Sequence, residues 1–176
     1  MKRAAITIRP TIEADLATIN AIYNREIEEG VATWDTAPWT SEQRRAWFAE
    51  HGHLTPVLTA ECDGQVIGFA YASLVSQKHG WRFTREDTIY IAPEFRGQGV
   101  GERLLTALLD VLRDVGVRLV IASITSTNEA SLRLHRKFGF EVMGEMKNAG
   151  YKFGQWMNTT YLQADLGEPG PRKPTW

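Results

Sequence analysis

The sequence predicts an α/β domain, with a mixed central β-sheet flanked by helices on both faces. Three observations carry that expectation. Short β-branched and apolar runs, such as Arg118 to Ile124, interleave with segments whose apolar residues recur at helical spacing, such as Leu16, Ile19, Ile22 and Tyr23. Glycines, an Asp-Gly pair and capping residues punctuate the junctions. A chain of 176 residues that is 43% hydrophobic is long enough to bury one substantial core. One domain is expected over residues 1–166, with 167–176, which holds Pro169, Pro171 and Pro174, as a flexible C-terminal tail.

Each element has its own signal. Ile6 to Arg9 opens as a strand, and Thr11 is placed to cap the helix that carries Leu16 to Tyr23. Gly30 to Trp39 is an aromatic-rich loop. Thr40-Ser41-Glu42-Gln43 has capping-box spacing, and Trp47 and Phe48 supply the apolar side of the short helix that follows. Val57 to Glu61 and Gln65 to Leu74 form strands about Cys62-Asp63-Gly64, since Asp-Gly favours a tight hairpin turn. Thr84 to Ile91 is a strand, and a long helix then runs through Val115 to a stop at Gly116. Arg118 to Ile124, a short helix after Asn128, Phe140 to Met146 and Trp156 to Leu166 complete the sheet and its cover.

Composition narrows the function classes. A net charge of −1 argues against nucleic acid as the main partner, because such binding rests on phosphate neutralisation. No apolar run reaches membrane-span length and the N-terminus has no signal-peptide core, so no membrane association and a cytoplasmic location are expected. Cys62 is the sole cysteine and the four histidines lack paired ligand spacing, so no disulfide and no metal are expected.

The most informative stretch is Arg96-Gly97-Gln98-Gly99-Val100-Gly101, set between a strand and a helix that continues from Glu102. Alternate glycines let a ligand approach the backbone closely. Unpaired N–H groups at a helix start favour an anion, and Arg96 adds a forked cation suited to phosphate oxygens. No Lys-Ser or Lys-Thr pair follows, so the stretch is not the nucleotide P-loop, and it lacks the spacing of the dinucleotide fingerprint. Further on, Thr127 or Asn128 caps a helix that Gly139 ends, with Leu132, His135 and Phe138 on one face.

With these two segments in this order, the chain resembles the GNAT superfamily of N-acetyltransferases. Its coenzyme A loop, Arg/Gln-x-x-Gly-x-Gly/Ala, is matched by Arg96, Gly99 and Gly101. Its later segment, Asn-x-x-Ala/Ser-x-x-x-Tyr/His-x-x-x-Gly-Phe, is matched by Asn128, Ser131, His135, Gly139 and Phe140. Ile22-Tyr23-Asn24, Ala32-Thr33-Trp34-Asp35, the Thr84–Ile91 strand and Lys152-Phe153-Gly154-Gln155-Trp156 are similar to its phosphinothricin and methionine sulfoximine acetyltransferase branch. The likeness runs from about Ile8 to Leu166.

The resemblance implies the GNAT fold, acetyl-CoA as co-substrate, a small amino acid or amino-acid analogue as the amine, direct attack in a ternary complex, and a homodimer. For the co-substrate it implies Ile89, Tyr90 and Ile91, whose strand supplies a backbone donor to the thioester carbonyl. It adds Arg96, Gly97, Gln98, Gly99, Val100, Gly101 and Glu102 at the cradle, and Asn128 and Ser131 beside the pantetheine arm. It implies Glu86 as the base that takes the amine's proton. His135 falls near the departing sulfur, where it either orients or donates a proton, or packs on the sheet with one nitrogen satisfied. An α-amine, with a pKa near 8 against roughly 10.4 for a lysine side chain, needs only a modest base.

For the acceptor, Arg82 is the candidate carboxylate fork, Trp34 a wall, Glu26 an ammonium partner and Lys152 a cap on the pocket; Asp87 and Thr88 are further candidates. Asp87 alternates to the strand face opposite Glu86, so one of the two carboxylates is expected at the site. Where branch members carry Trp-Arg-Pro, this chain has Val75-Ser76-Gln77-Lys78, leaving Lys78 as a point charge without an arginine's fork. Two other functions fit the same motifs: acetylation of a peptide or protein N-terminus, and a coenzyme A sensor without turnover.

Overall fold

The computed structural model describes residues 5–167. Seven strands, β1 (Ile6–Pro10), β2 (Val57–Cys62), β3 (Gln65–Leu74), β4 (Thr84–Ile91), β5 (Leu119–Thr125), β6 (Glu141–Lys152) and β7 (Gln155–Asp165), form one sheet in the order β1-β2-β3-β4-β5-β7-β6. Only β4 and β5 pair in parallel; every other neighbour is antiparallel. Four helices, α1 (Leu16–Glu29), α2 (Ser41–Ala49), α3 (Val100–Asp114) and α4 (Glu129–Lys137), cover the sheet. The mixed sheet and its helices are those the sequence predicts.

The two faces hold separate cores. Leu16, Ile19, Tyr23 and Ile27 of α1 pack on Phe69 of β3 and Tyr90 of β4. On the other face, Leu104, Leu105, Leu108 and Leu112 of α3 meet Ala70 and Ala72 of β3 and Val120 and Ala122 of β5. Small alanines on the strands let the α3 leucines approach closely, and apolar positions three and four apart give this helix its single buried stripe.

Local chemistry sets the boundaries. Thr40 accepts the Gln43 N–H at 3.2 Å while the Gln43 side chain accepts the Thr40 N–H at 2.8 Å, closing the capping box at the start of α2. Asp63 (φ 49°) and Gly64 (φ 79°) make the β2–β3 turn with both residues in the left-handed region. Thr11 does not cap α1. Its hydroxyl bonds that of Thr59 at 2.7 Å, and a short 3-10 turn over Glu13–Asp15 leads into the helix instead. β6 continues to Lys152, beyond the predicted end at Met146, with shifts in register between Met146 and Gly150. An irregular, largely exposed edge strand lacks the alternation that marks a strand in sequence. The tail expected at 167–176 lies outside the described residues after Gly167.

Leu108 has no solvent exposure and sits mid-stripe on α3. Leu108→Ala is expected to cost about 2–5 kcal/mol in chemical denaturation. A loss below about 1 kcal/mol would mean that this face of the sheet is not a close-packed core.

Candidate active site

β4 and β5 are in register only from Thr84–Leu119 to Glu86–Ile121, and then separate. Beyond that point the remainder of both strands borders a cavity of about 610 Å³, which passes through the sheet. α1, the loop after it, the start of α3 and α4 complete its wall. Glu86, Thr88 and Tyr90 alternate with Asp87, Ile89 and Ile91 along β4, and all six reach the cavity. The expectation that only one of Glu86 and Asp87 faces the site therefore gives way. An opening between strands, unlike one above a sheet, exposes both of its faces.

At one end lies the glycine cradle. Gly97 and Gly99 have φ of 71° and 82°, and a side chain added at either would meet nothing within 4 Å. The backbone is thus strained for any other residue while the space above it stays open. Gly101 is different: an added Cβ would stand 3.1 Å from Leu134 and 3.3 Å from Ile91, so here glycine allows α3 to pack on α4 and β4. Gly99 is the N-cap of α3, leaving the first amides of that helix without intrahelical acceptors beside the cavity. Val100 and Glu102 also line it. Gln98 does not; its side chain donates to the Glu94 carbonyl at 2.9 Å. Arg96 borders the cavity but is paired with Glu26 at 2.8 Å, while the other Glu26 oxygen accepts the Ala32 N–H at 2.8 Å.

α4 forms the facing wall. Asn128 caps it by accepting the Ser131 N–H at 3.2 Å, and both residues border the cavity. Arg133 and Lys137, one turn apart on α4, also line it, with Lys137 paired to Glu102 at 2.7 Å. Neither is among the residues expected at the site, although basic residues at i and i+4 on a helix assigned to an anionic ligand are a usable signal. Open cradle, free helix amides and nearby cations together fit the pyrophosphate of coenzyme A.

The ionisable pair at the parting is buried. His135 Nε2 lies 3.0 Å from Asp87 Oδ2, and Nδ1 lies 2.8 Å from the Ser131 carbonyl. Burial alone pushes the imidazole down, but the Asp87 charge and these hydrogen bonds outweigh it and raise its pKa. Burial, and then the Asp87 charge, raises the pKa of Glu86. Among the described residues, no three metal-ligating side chains gather in one place.

The acceptor candidates divide. Glu26, Trp34, Asp87 and Thr88 border the cavity; Lys78, Arg82 and Lys152 do not. Lys78 is exposed, and the Arg82 guanidinium stacks 4.3 Å from the Phe83 ring and donates to the His79 carbonyl. Both precede the paired segment of β4, at the end away from the parting. Lys152 is 4% exposed, and its ammonium donates to the carbonyls of Glu26, Gly30 and Thr33 at 3.3, 2.8 and 3.0 Å. Lys152 therefore ties down the loop after α1, and burial lowers its pKa. On the same strand, Trp34 lies flush against Gly150, whose Cβ would be 2.3 Å from the indole.

Arg44 of α2 went unpredicted. It is 2% exposed, with its guanidinium 4.4 to 4.6 Å from the ring centroids of Trp39, Tyr23 and Trp47. The rings spread over three segments, so no local pattern distinguishes Arg44 from its exposed neighbour Arg45.

Residues 19–140 match the acetyltransferase (GNAT) family. The chain is 37% identical over 164 residues to the L-methionine sulfoximine/L-methionine sulfone acetyltransferase of Salmonella typhimurium, spanning 93% of this chain and 96% of that one. It superposes on a GNAT phosphinothricin acetyltransferase from Sinorhizobium meliloti in complex with AcCoA with a TM-score of 0.91, at 39% identity and covering 97% and 93% of the two chains. A ribosomal-protein-alanine N-acetyltransferase from Brucella melitensis superposes with a TM-score of 0.88, at 38% identity and covering 90% and 99%.

Lys152→Met would leave three loop carbonyls without their ammonium. It is expected to cost about 1–3 kcal/mol in thermal or urea unfolding and to increase quenching of Trp34 fluorescence. Unchanged stability and quenching would mean that the tether does not hold the loop.

Proposed function

The chain belongs to the GNAT acetyltransferase family, and on that premise we propose that it moves an acetyl group from acetyl-CoA to the amine of a small amino acid or amino-acid analogue. The compounds named for its relatives, methionine sulfoximine, methionine sulfone and phosphinothricin, are the first to try. The observation that carries the reading is one continuous cavity, with a phosphate cradle at one end and two adjacent carboxylates, half-buried Glu86 and buried Asp87, at the other.

The chemistry is a direct transfer. Acetyl-CoA supplies an activated thioester, and its pyrophosphate sits on the amides at the start of α3. The backbone of β4 beyond Glu86, freed from β5, offers a donor to the carbonyl oxygen as that atom gains charge. The amine nitrogen bonds to the carbonyl carbon, the C–S bond breaks with its electron pair on sulfur, and the amine's proton passes to Glu86. Burial of Glu86 suits that role, because a base whose pKa rises toward neutrality holds the proton better than an ordinary carboxylate. It must still be ionised to act, so kcat/KM should rise with pH through a limb lying above the ordinary carboxylate range.

A small acceptor is favoured by the loop around Trp34, tied down at Lys152, Glu26 and Gly150. The likeness to a ribosomal-protein-alanine acetyltransferase supports a second reading, in which the amine is a peptide N-terminus. We further propose a homodimer with its contact on the β6–β7 hairpin, a reading supported by Met146 and Trp156, 52% and 65% exposed beside Val142 and Met143. A cytoplasmic location belongs to the same proposal, supported by a co-substrate that is a polyanion and does not cross membranes unaided.

Thiol release from acetyl-CoA across free amino acids, methionine sulfoximine, phosphinothricin and short peptides tests the reading. Turnover is expected with a free amino acid or analogue; turnover with peptides alone selects the second reading. Glu86→Gln should lower kcat about a hundredfold or more with little change in the KM for acetyl-CoA. An unaltered kcat would remove Glu86 as the base. Met146→Lys combined with Trp156→Lys is expected to sediment as a monomer, and an unchanged sedimentation coefficient would move the dimer contact elsewhere.

A further inference from the structure

Asp87 is the one buried carboxylate of the cavity whose second oxygen has no described partner. Its side chain is 1% exposed, and Oδ1 accepts no hydrogen bond from any described residue, while Oδ2 meets His135. A carboxylate so placed is costly unless something holds its charge. His135 is that partner, and its own side chain is 5% exposed.

The hydrogen-bond pattern fixes where the protons lie. The Ser131 carbonyl can only accept, so Nδ1 of His135 carries a hydrogen. One further proton lies between Nε2 and Asp87 Oδ2. With that proton on nitrogen the pair is an imidazolium against a carboxylate. The Phe140 ring packs edge-to-face with the imidazole, 4.9 Å between centroids, and covers it on another side. Glu86 is the preceding residue, on the opposite face of the same strand, where the adjacent Asp87 charge raises its pKa.

We infer that Asp87 is a positioning residue for acetyl transfer, holding His135 as an oriented imidazolium and biasing the ionisation of Glu86 across the parting of β4 from β5. The inference rests on the acetyltransferase reading for its catalytic consequence, but the proton arrangement stands independently of it. The scheme moves no proton through the pair. The transferred proton goes from amine to Glu86, and the shared proton stays between His135 and Asp87. What Asp87 contributes is a fixed charge pattern: a cation beside the sulfur's side of the opening, and an anion that keeps Glu86 from becoming too weak a base.

The other groups facing His135 do not duplicate this role. Glu86 is the other titratable group of β4 at the parting, and Ala122 to Thr125 of β5 contribute none. On α4 itself, Arg133 and Lys137 reach the same cavity, and Lys137 is engaged with Glu102 of α3. Neither of these cations can sustain a protonated imidazole, which is held against its burial by Asp87 and, through a hydrogen bond alone, by the Ser131 carbonyl.

The experiment is a nitrogen-15 NMR titration of the His135 ring in the free protein, paired with pH profiles of kcat/KM for wild type and Asp87→Asn. In wild type, the ring should be doubly protonated at neutral pH and titrate above an ordinary imidazole. A wild-type ring that titrates at or below the ordinary value overturns the inference, and needs no variant to do so. In folded Asp87→Asn, desolvation should prevail and the ring should be neutral with its hydrogen on Nδ1. Glu86 loses one of the two causes that raise it, so the acid limb should move to lower pH, and kcat/KM at pH 7 should fall roughly tenfold or more. An unmoved acid limb overturns the positioning role. A ring that behaves as expected in a protein that acetylates no amine upholds the Asp87–His135 arrangement and rejects the acetyl-transfer reading instead.

Discussion

Two parallel strands that pair for three residues and then separate leave backbone donors and acceptors without their ladder. The rest of the molecule accommodates that fact. β3 holds β4 on its outer side along Gly68–Ile91 to Leu74–Arg85, and β7 holds β5 along its whole length. The opening therefore persists in a sheet that is otherwise continuous. An amide-bearing chain such as the arm of coenzyme A can supply what the absent strand neighbour does not. The cradle sits at the C-terminal end of β4, where the chain must leave the sheet for α3, so phosphate recognition and the opening arise from one topological event.

The acceptor side depends on longer ties. The loop after α1 has no regular structure, yet its carbonyls are held by Lys152 of β6, Thr125 of β5 and Tyr90 of β4, and its Ala32 amide by Glu26 of α1. Tyr23 joins Thr33 and Asp35 at 3.0 and 2.7 Å, and Asp35 also accepts from the Trp39 indole at 2.7 Å. Beneath that network Arg44 spreads its charge over three rings in place of a carboxylate partner. A loop fastened from so many elements behaves as part of the scaffold, and its shape sets which acceptors enter.

The fold was legible because its signals are local. Helical spacing marked α1 and α3, the Thr40 capping box marked α2, and Asp63-Gly64 marked the first hairpin. The cradle was legible for the same reason, since glycines at positive φ must be adjacent in sequence. The roles of Lys152 and Arg44 were not: the carbonyls that hold Lys152 are more than a hundred positions away, and the rings around Arg44 come from three separate segments, Tyr23 of α1, Trp39 of the loop and Trp47 of α2. Glu26 and Arg96 illustrate the limit well. Both belong to the cavity wall, but being 70 positions apart they gave no sign of being each other's partner. Strand alternation misled at Asp87 for a different reason: it describes an intact sheet, and the opening is where the sheet stops being one.

Charge differs between the two ends of the cavity, which suits the two unlike reactants of the proposed transfer. At the cradle end, Arg96, Arg133, Lys137 and the α3 amides outweigh Glu26 and Glu102, which favours phosphates. At the parting, His135 offsets one of the two adjacent carboxylates, leaving the ionised pair with one uncompensated negative charge near Glu86. That charge attracts an ammonium, and half-burial makes the group that bears it a better proton acceptor than an exposed carboxylate. On the proposed reaction an ammonium drawn there sheds one proton to solvent, a modest step for an α-amine with a pKa of about 8, and Glu86 takes the second, released as the neutral amine attacks. On that scheme the carboxylate that attracts the amine also receives its proton, and attraction and activation are met by one residue instead of two.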